Sequence, residues 1–274
     1  LEPVLAEDNF WCKNIVTKNL EDNALTAQNL LDTGEFNGKA YITCLAENYE
    51  FTSYKKEVFG AFGAGNTPYM FKKEKLNNKT GKFSETCLVI KVKKHIKPNQ
   101  KIRINFVCGF EETDKQILNT IDILKTEGGI DAEFSVVNKN YNDICNSIQV
   151  KTPKKSFDYM MNGWLIYQTY NSRLLSRTGY FQSGGGYGFR DQLQDVLSIL
   201  YTKPFLVKEQ ILRCAKRQFI EGDVLHWWHQ KAKGVRTHIS DDLLFLPYVL
   251  SEYISATNDY NILNMKVSYF LGHY

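Results

Sequence analysis

Up to about residue 110 the apolar residues alternate with polar ones or gather in short β-branched runs. AYITCLAEN (40–48), TCLVIKVKKHI (86–96) and KIRINFVCGF (101–110) are such runs, separated by the turn-forming KLNNKTGKF (75–83) and KPNQ (97–100). The pattern predicts strands, with VIKVKKHI and IRINFVCG joined as a hairpin through KPNQ, and an antiparallel sandwich overall. From residue 113 the period changes. TDKQILNTIDIL has apolar residues at 117, 118, 121, 123 and 124, close to a helical stripe, with Thr113 or Asp114 as its cap. NKNYNDICNSIQ (138–149) predicts a second short helix before the basic, Pro-containing KTPKKSF (151–157).

Beyond residue 157 the chain reads as successive helices: FDYMMNGWLIYQTYNSRLL, RDQLQDVLSILYT, KEQILRCAKRQFIEG, DDLLFLPYVLSEYISATND and NILNMKVSYFLG. In the second, Leu193, Val196, Leu197 and Leu200 follow the i, i+3, i+4, i+7 spacing of a buried stripe. The joining stretches RTGYFQSGGGYGF and EGDVLHWWHQKAKGVRTHIS carry Gly, Trp, Tyr and His, and read as loops. The expected organisation is a β-sandwich over 1–110, a helical linker over 111–156 and a helical domain over 157–274.

Composition narrows the function classes. The 34 basic and 30 acidic residues leave a net charge of +4, too balanced to argue for nucleic acid or an anionic membrane, though compatible with a small local anion such as phosphate. No apolar run is long enough to span a bilayer, and no signal peptide opens the chain. The six cysteines are scattered, with no CxxC pair, and read as buried reduced thiols of a cytoplasmic protein. The chain opens on Leu1 and closes on NILNMKVSYFLGHY, and is expected to be a segment of a longer polypeptide.

Three stretches carry candidate chemistry. In SGGGYGFRDQLQD no Gly-Lys-Ser/Thr follows the glycines and no strand–helix–strand context surrounds them, so neither phosphate loop nor dinucleotide fingerprint applies. What is left is a close backbone approach ahead of a helix whose first turn holds Arg190 and Asp191. That pair either grips a polyhydroxylated ligand or caps the helix as an ion pair. In EGDVLHWWH, His226 and His229 lack Cys, Asp or Glu partners at zinc spacing, so no metal is expected. Trp227 or Trp228 either stacks on a sugar or forms a core corner. In THISDDLLFLP, Ser240 reads as a helix N-cap, with Asp241 and Asp242 following it. A helix N-terminus favours a carboxylate, whereas a general acid must hold its proton; desolvation or the adjacent like charge must then prevail.

WLIYQTYNSRLLSRTGYFQSGGGYGFRDQLQD, QFIEGDVLHWWHQ and GVRTHISDDLLFLPYVLSEYISATND together closely resemble the inverting glycoside phosphorylases of glycoside hydrolase family 94. The wording is nearest the branch holding the C-terminal region of cyclic β-1,2-glucan synthase and the 1,2-β-oligoglucan phosphorylases. FTSYKKEVFG and the strands after it resemble the end of the family's N-terminal sandwich. The resemblance implies an α+β multidomain chain whose helical part is the first portion of an (α/α)6 barrel.

It also implies roles. Arg190 and Asp191, with Gln192 beside them, would bind the transferred sugar, as would His226, Trp227 and Trp228. Arg177 would hold phosphate, and Asp241 would be the general acid, with Asp242 as the alternative. Phosphate is an anionic nucleophile, so no second carboxylate is needed as base. Inorganic phosphate is the co-substrate and no other cofactor is expected. The implied partners are a β-glucan oligosaccharide and, as in family members, a second copy in a homodimer. Departures are the absence of Arg within GGGYG, Ile239 where an aromatic stands two residues before the acid, and Phe245 in place of Trp. The family's remaining phosphate ligands are expected beyond residue 274, so these residues alone are expected to be inactive. A module of a cyclic glucan synthase, a non-catalytic sugar-binding module and a hydrolase remain as alternatives.

Overall fold

The structure, a computed structural model, describes residues 13–21, 23–31, 38–45, 49–60, 67–175, 186–229 and 234–271. The chain forms two compact units, Leu1–Glu133 and Phe134–Tyr274.

In the first unit, β1 (Ile15–Leu20), β2 (Ala24–Asn29), β3 (Lys39–Cys44) and β6 (Phe106–Glu111) form one antiparallel sheet in the order β1-β2-β3-β6. A second sheet pairs β4 (Glu50–Tyr54) with β5 (Thr86–Lys91). Strand alternation gives the larger sheet two apolar faces. Ile15, Leu25 and Ala27 pack on Phe51 and Leu88 of the smaller sheet. Ala24 and Tyr41 on the opposite face receive Ile117 and Ile121 of α2 (Asp114–Lys125), α1 being the short Lys55–Phe59. Ile117 and Ile121 stand four apart and so share one helix face. Thr113 caps α2 through a capping box with Gln116.

The hairpin expected through KPNQ does not form. The turn is present, with the Gln100 amide donating to the Lys97 carbonyl at 3.0 Å, but β5 pairs with β4 and β6 with β3. A sandwich strand needs an apolar face, and past Ile90 Lys93, Lys94 and Lys97 are exposed. Pairing therefore stops at Lys91, while β6 finds a partner in β3. The expected short helix at 138–149 is instead α3 (Gly129–Cys145), starting nine residues earlier.

Glu57 in α1 is buried, accepting hydrogen bonds from Thr52 Oγ1 (2.7 Å) and the Asn77 amide (3.0 Å) and pairing with Lys73 (3.4 Å). Burial alone would raise its pKa; the hydrogen bonds from Thr52 and Asn77 and the Lys73 charge outweigh it and hold the group below its ordinary 4.5. A carboxyl depressed by folding adds stability above its unfolded pKa and loses it as pH falls through the folded value. Glu57→Gln is therefore expected to flatten the acid limb of a melting-temperature profile below about pH 5. An unchanged acid limb would assign that limb to other groups.

The second unit begins in α3. It continues through α4 (Lys155–Tyr159), a π turn (Met160–Trp164), α5 (Leu165–Gln168) and a second π segment (Thr169–Leu175). Then come α6 (Phe189–Leu197), α7 (Pro204–Ala215) and α8 (Ser240–Thr257). Their core joins Phe189, Leu193, Val196 and Leu200 of the α6 segment to Val207, Ile211 and Cys214 of α7 and Val249 and Tyr253 of α8. Pro204 opens α7 at a position where its missing N–H costs nothing.

Three expectations are corrected here. QFIEG is not helical, because α7 ends at Ala215. The Trp- and His-rich stretch is no loop: β8 (Val224–Trp228) and β9 (Gly234–Thr237) form a sheet with β7 (Tyr187–Gly188). NILNMKVSYFLG makes only a 3-10 turn (Tyr260–Asn264), then an extended run in which Phe270 meets Phe219 edge-on at 5.5 Å. Asn258, left-handed at φ 56°, stops α8, and the Asp259 carboxylate is held by Lys208 (2.6 Å) and Tyr253 (2.9 Å). Among the described residues, no helix is long and apolar enough to cross a membrane.

Candidate functional site

The site is built where the three-stranded sheet meets the starts of α6 and α8. Alternation along β8 sends its tryptophans to opposite sides. Trp228 is 1 % exposed, stacked on Tyr187 at 5.6 Å and met edge-on by Phe189 at 6.3 Å. It is therefore a core residue, which leaves Trp227 as the exposed ring of the pair, 38 % accessible and edge-on to His229. Across the β7–β8 ladder Trp227 stands opposite Gly188, the residue before α6.

The hairpin is held at both ends. Arg236 in β9 binds both Asp223 carboxylate oxygens and reaches Glu221 at 3.2 Å, while its guanidinium lies 4.0 Å from the Phe219 ring centroid. The hydrogen bond from Arg236 keeps the Asp223 pKa below the ordinary carboxylate value. At the turn, a Cβ on Gly234 would stand 2.3 Å from the Trp227 carbonyl oxygen and 2.8 Å from the Trp228 Cβ. Because backbone cannot swing aside, Gly234→Ala is expected to cost about 1–3 kcal/mol in denaturant unfolding. A loss under a few tenths would show that the β8–β9 turn adjusts freely.

The α6 start is anchored by Phe189, fully buried, so Arg190 after it faces outward. Asp191 folds back over Gly188, where an added Cβ would come 2.4 Å from its Oδ2. Gln192 is buried against the core side of α6. At α8 the residue before the helix is Ile239 and Ser240 is the first helical residue, without a side-chain capping bond. The expected Ser240 N-cap is thus replaced by a helix beginning one residue earlier.

Successive helical residues point about 100° apart, and this parts the two aspartates. Asp242 turns inward, 2 % exposed, with its Oδ2 2.7 Å from His226 Nδ1. Asp241 turns outward and pairs with Arg190, Oδ2 to the guanidinium at 3.1 Å, both side chains about half exposed. One turn further along α8, the Phe245 ring lies 5.4 Å beneath the Arg190 guanidinium, a cation–π contact that holds the arginine toward Asp241. The sequence signal for Phe245 is its i+4 spacing from Asp241.

Structure thus brings Arg190 and Asp241 into direct contact and seats Asp242 on His226. Arg177 lies outside the described residues. The Arg190–Asp241 pair presents a guanidinium and a carboxylate, and Trp227 an exposed indole, the kinds of donor, acceptor and apolar face that a sugar ring engages.

Comparison with known proteins places these elements in sequence context. Residues 1–127 match the family model "Glycosyl hydrolase 94, supersandwich domain" and residues 140–269 match "Glycosyl hydrolase 94 superfamily, catalytic domain". The chain is 31 % identical over 224 residues, 81 % of its length, to the cyclic β-(1,2)-glucan synthase NdvB of Rhizobium meliloti (strain 1021). It is 21 % identical over 267 residues, 87 % of its length, to the N,N'-diacetylchitobiose phosphorylase of Vibrio proteolyticus. Against the solabiose phosphorylase of Paenibacillus borealis it is 24 % identical over 235 residues, 85 % of its length. The aligned portions make up 8 %, 33 % and 29 % of those three proteins, respectively.

Proposed function

The chain belongs to glycoside hydrolase family 94, and on that premise we propose that it forms part of an enzyme that phosphorolyses β-glucosidic bonds in a β-glucan oligosaccharide. Its carrying observation is the Arg190–Asp241 pair at 3.1 Å, open to solvent at the starts of two helices. In this reading residues 157–274 are the first portion of an (α/α)6 barrel whose central pocket opens over that pair.

A sugar entering beside Trp227 would insert between the pair. Its hydroxyls would take over the donors of Arg190, with Asp191 as a second acceptor, leaving Asp241 to face the glycosidic oxygen. Drawn away from Arg190, Asp241 takes up a proton from solvent and gives it to that oxygen as the C1–O bond breaks, and a phosphate oxygen forms the new bond to C1 from the opposite face. The products are an α-glucose 1-phosphate and a glucan shorter by one unit. Arg177 would hold the attacking phosphate through charge-assisted hydrogen bonds. Asp242 has the weaker claim to the acid role because its carboxylate is buried and committed to His226.

A β-1,2 linkage is proposed from the likeness to a cyclic β-(1,2)-glucan synthase. The same likeness favours a second reading, in which this region is the phosphorylase-like module of such a synthase. The test incubates the full-length polypeptide with short β-1,2-glucans, with and without phosphate, and assays glucose 1-phosphate. Phosphate-dependent release supports the proposal. Phosphate-independent glucose would make it a hydrolase, and sugar binding without turnover would make it a binding module.

A further inference from the structure

The net charge of +4 conceals a strong segregation. Residues 72–103 hold ten Lys and one Arg against two Glu, a local net of +9, so the rest of the chain is acidic overall. Lys91 Nζ donates to the Lys73 carbonyl at 2.9 Å and Lys93 Nζ to the Glu74 carbonyl. These bonds set residues 73 and 74 beside Lys91 and Lys93 and bring the cations at 72–75 and 91–94 together as a basic face of the first unit. Lys73, Lys91 and Arg103 are matched by Glu57, Glu50 and Asp131. Lys72, Lys75, Lys79, Lys82, Lys94 and Lys97 are exposed and, among the described residues, form no ion pair. Apolar side chains stand among them: Phe71 is 70 % exposed and Ile96 53 %.

We propose that this face docks on an anionic phospholipid bilayer. Lysine is a compact, strongly hydrated point charge, suited to the diffuse negative potential of a headgroup plane. Phe71 and Ile96 supply the apolar contacts that enter the headgroup boundary. A nucleic-acid face would draw on arginine for bidentate contacts, and here the one arginine is already held by Asp131. Whole-chain charge, from which no membrane contact is expected, averages this face with an acidic remainder. The inference stands independently of the catalytic proposal.

The experiment is co-sedimentation of the full-length polypeptide with phosphatidylcholine vesicles, with and without phosphatidylglycerol, across a salt series. Binding is expected only to the anionic vesicles and is expected to fall as salt rises. The variant K72Q/K75Q/K94Q/K97Q is expected to lose roughly two to three orders of magnitude in binding at an unchanged melting temperature, since these lysines form no ion pair among the described residues. Phe71→Ser with Ile96→Ser is expected to weaken binding several-fold while leaving its salt dependence. Equal binding to neutral vesicles, salt-insensitive binding or no binding would overturn the proposal. Tighter binding to duplex DNA or RNA at matched salt would also overturn it, in favour of a nucleic-acid partner. Should the quadruple variant misfold, the salt series on the unmodified protein still decides.

Discussion

Asp241→Asn in the full-length polypeptide is expected to lower kcat for glucan phosphorolysis by about 10²–10⁴, the range general-acid catalysis contributes. Asparagine keeps the shape and can still accept a hydrogen bond from Arg190, but it has no proton to give to the departing oxygen. Because Asp241 and Arg190 are both about half exposed, losing the charge pair is expected to change stability by less than about 1 kcal/mol. Sugar affinity, read by calorimetry with an unreactive glucan, is expected to persist. Asp242→Asn should behave in the opposite way. Its carboxylate is buried against His226, so the substitution is expected to cost about 1–3 kcal/mol of stability and to impair turnover through the fold. If Asp241→Asn retains full turnover while Asp242→Asn loses it at an unchanged melting temperature, the acid is Asp242.

Trp228→Ala is expected to destabilise the protein by about 3–5 kcal/mol, as removal of a fully buried aromatic does. The indole closes the core between Tyr187 and Phe189, so its loss leaves a cavity under the sheet that carries Trp227 and under the start of α6. Denaturant unfolding at fixed temperature reads the effect directly. Trp227→Ala, one residue earlier, is expected to change stability by less than about 0.5 kcal/mol. Its effect should appear in KM for the glucan, through lost contact with the sugar. Equal destabilisation by the two variants would mean that Trp227 is packed as tightly as its neighbour, and sugar stacking there would be ruled out.

These contrasts mark the limit of what adjacency in a sequence conveys. Asp241 and Asp242 are one residue apart, as are Trp227 and Trp228, and composition offers no way to rank either pair. The ranking comes from the 100° step of the helix and the alternation of the strand, once a core fixes which side is inside. The same gap explains the missed sheet. VLHWW and GVRT are too short and too rich in Trp and His to show a clean period of two, and their pairing depends on β7, whose two residues are invisible as a strand. Ion pairing between Arg190 and Asp241 joins residues 51 apart, a closure no local pattern contains.

Amphipathic spacing determined β3, β5 and β6 of the first unit but not β1, β2 and β4; it also determined the capped helix over 114–125 and the buried stripe of Leu193, Val196 and Leu200, because burial of an apolar face follows from periodicity alone. The motifs likewise determined the family. Tertiary structure decided which strand pairs with which, which aspartate faces solvent and which indole stays exposed. It also decided that Lys91 and Lys93 lie against residues 73 and 74, some twenty positions earlier in the chain. Each of these depends on bringing distant segments together, and the free energy that does so comes from a shared core that no single segment encodes.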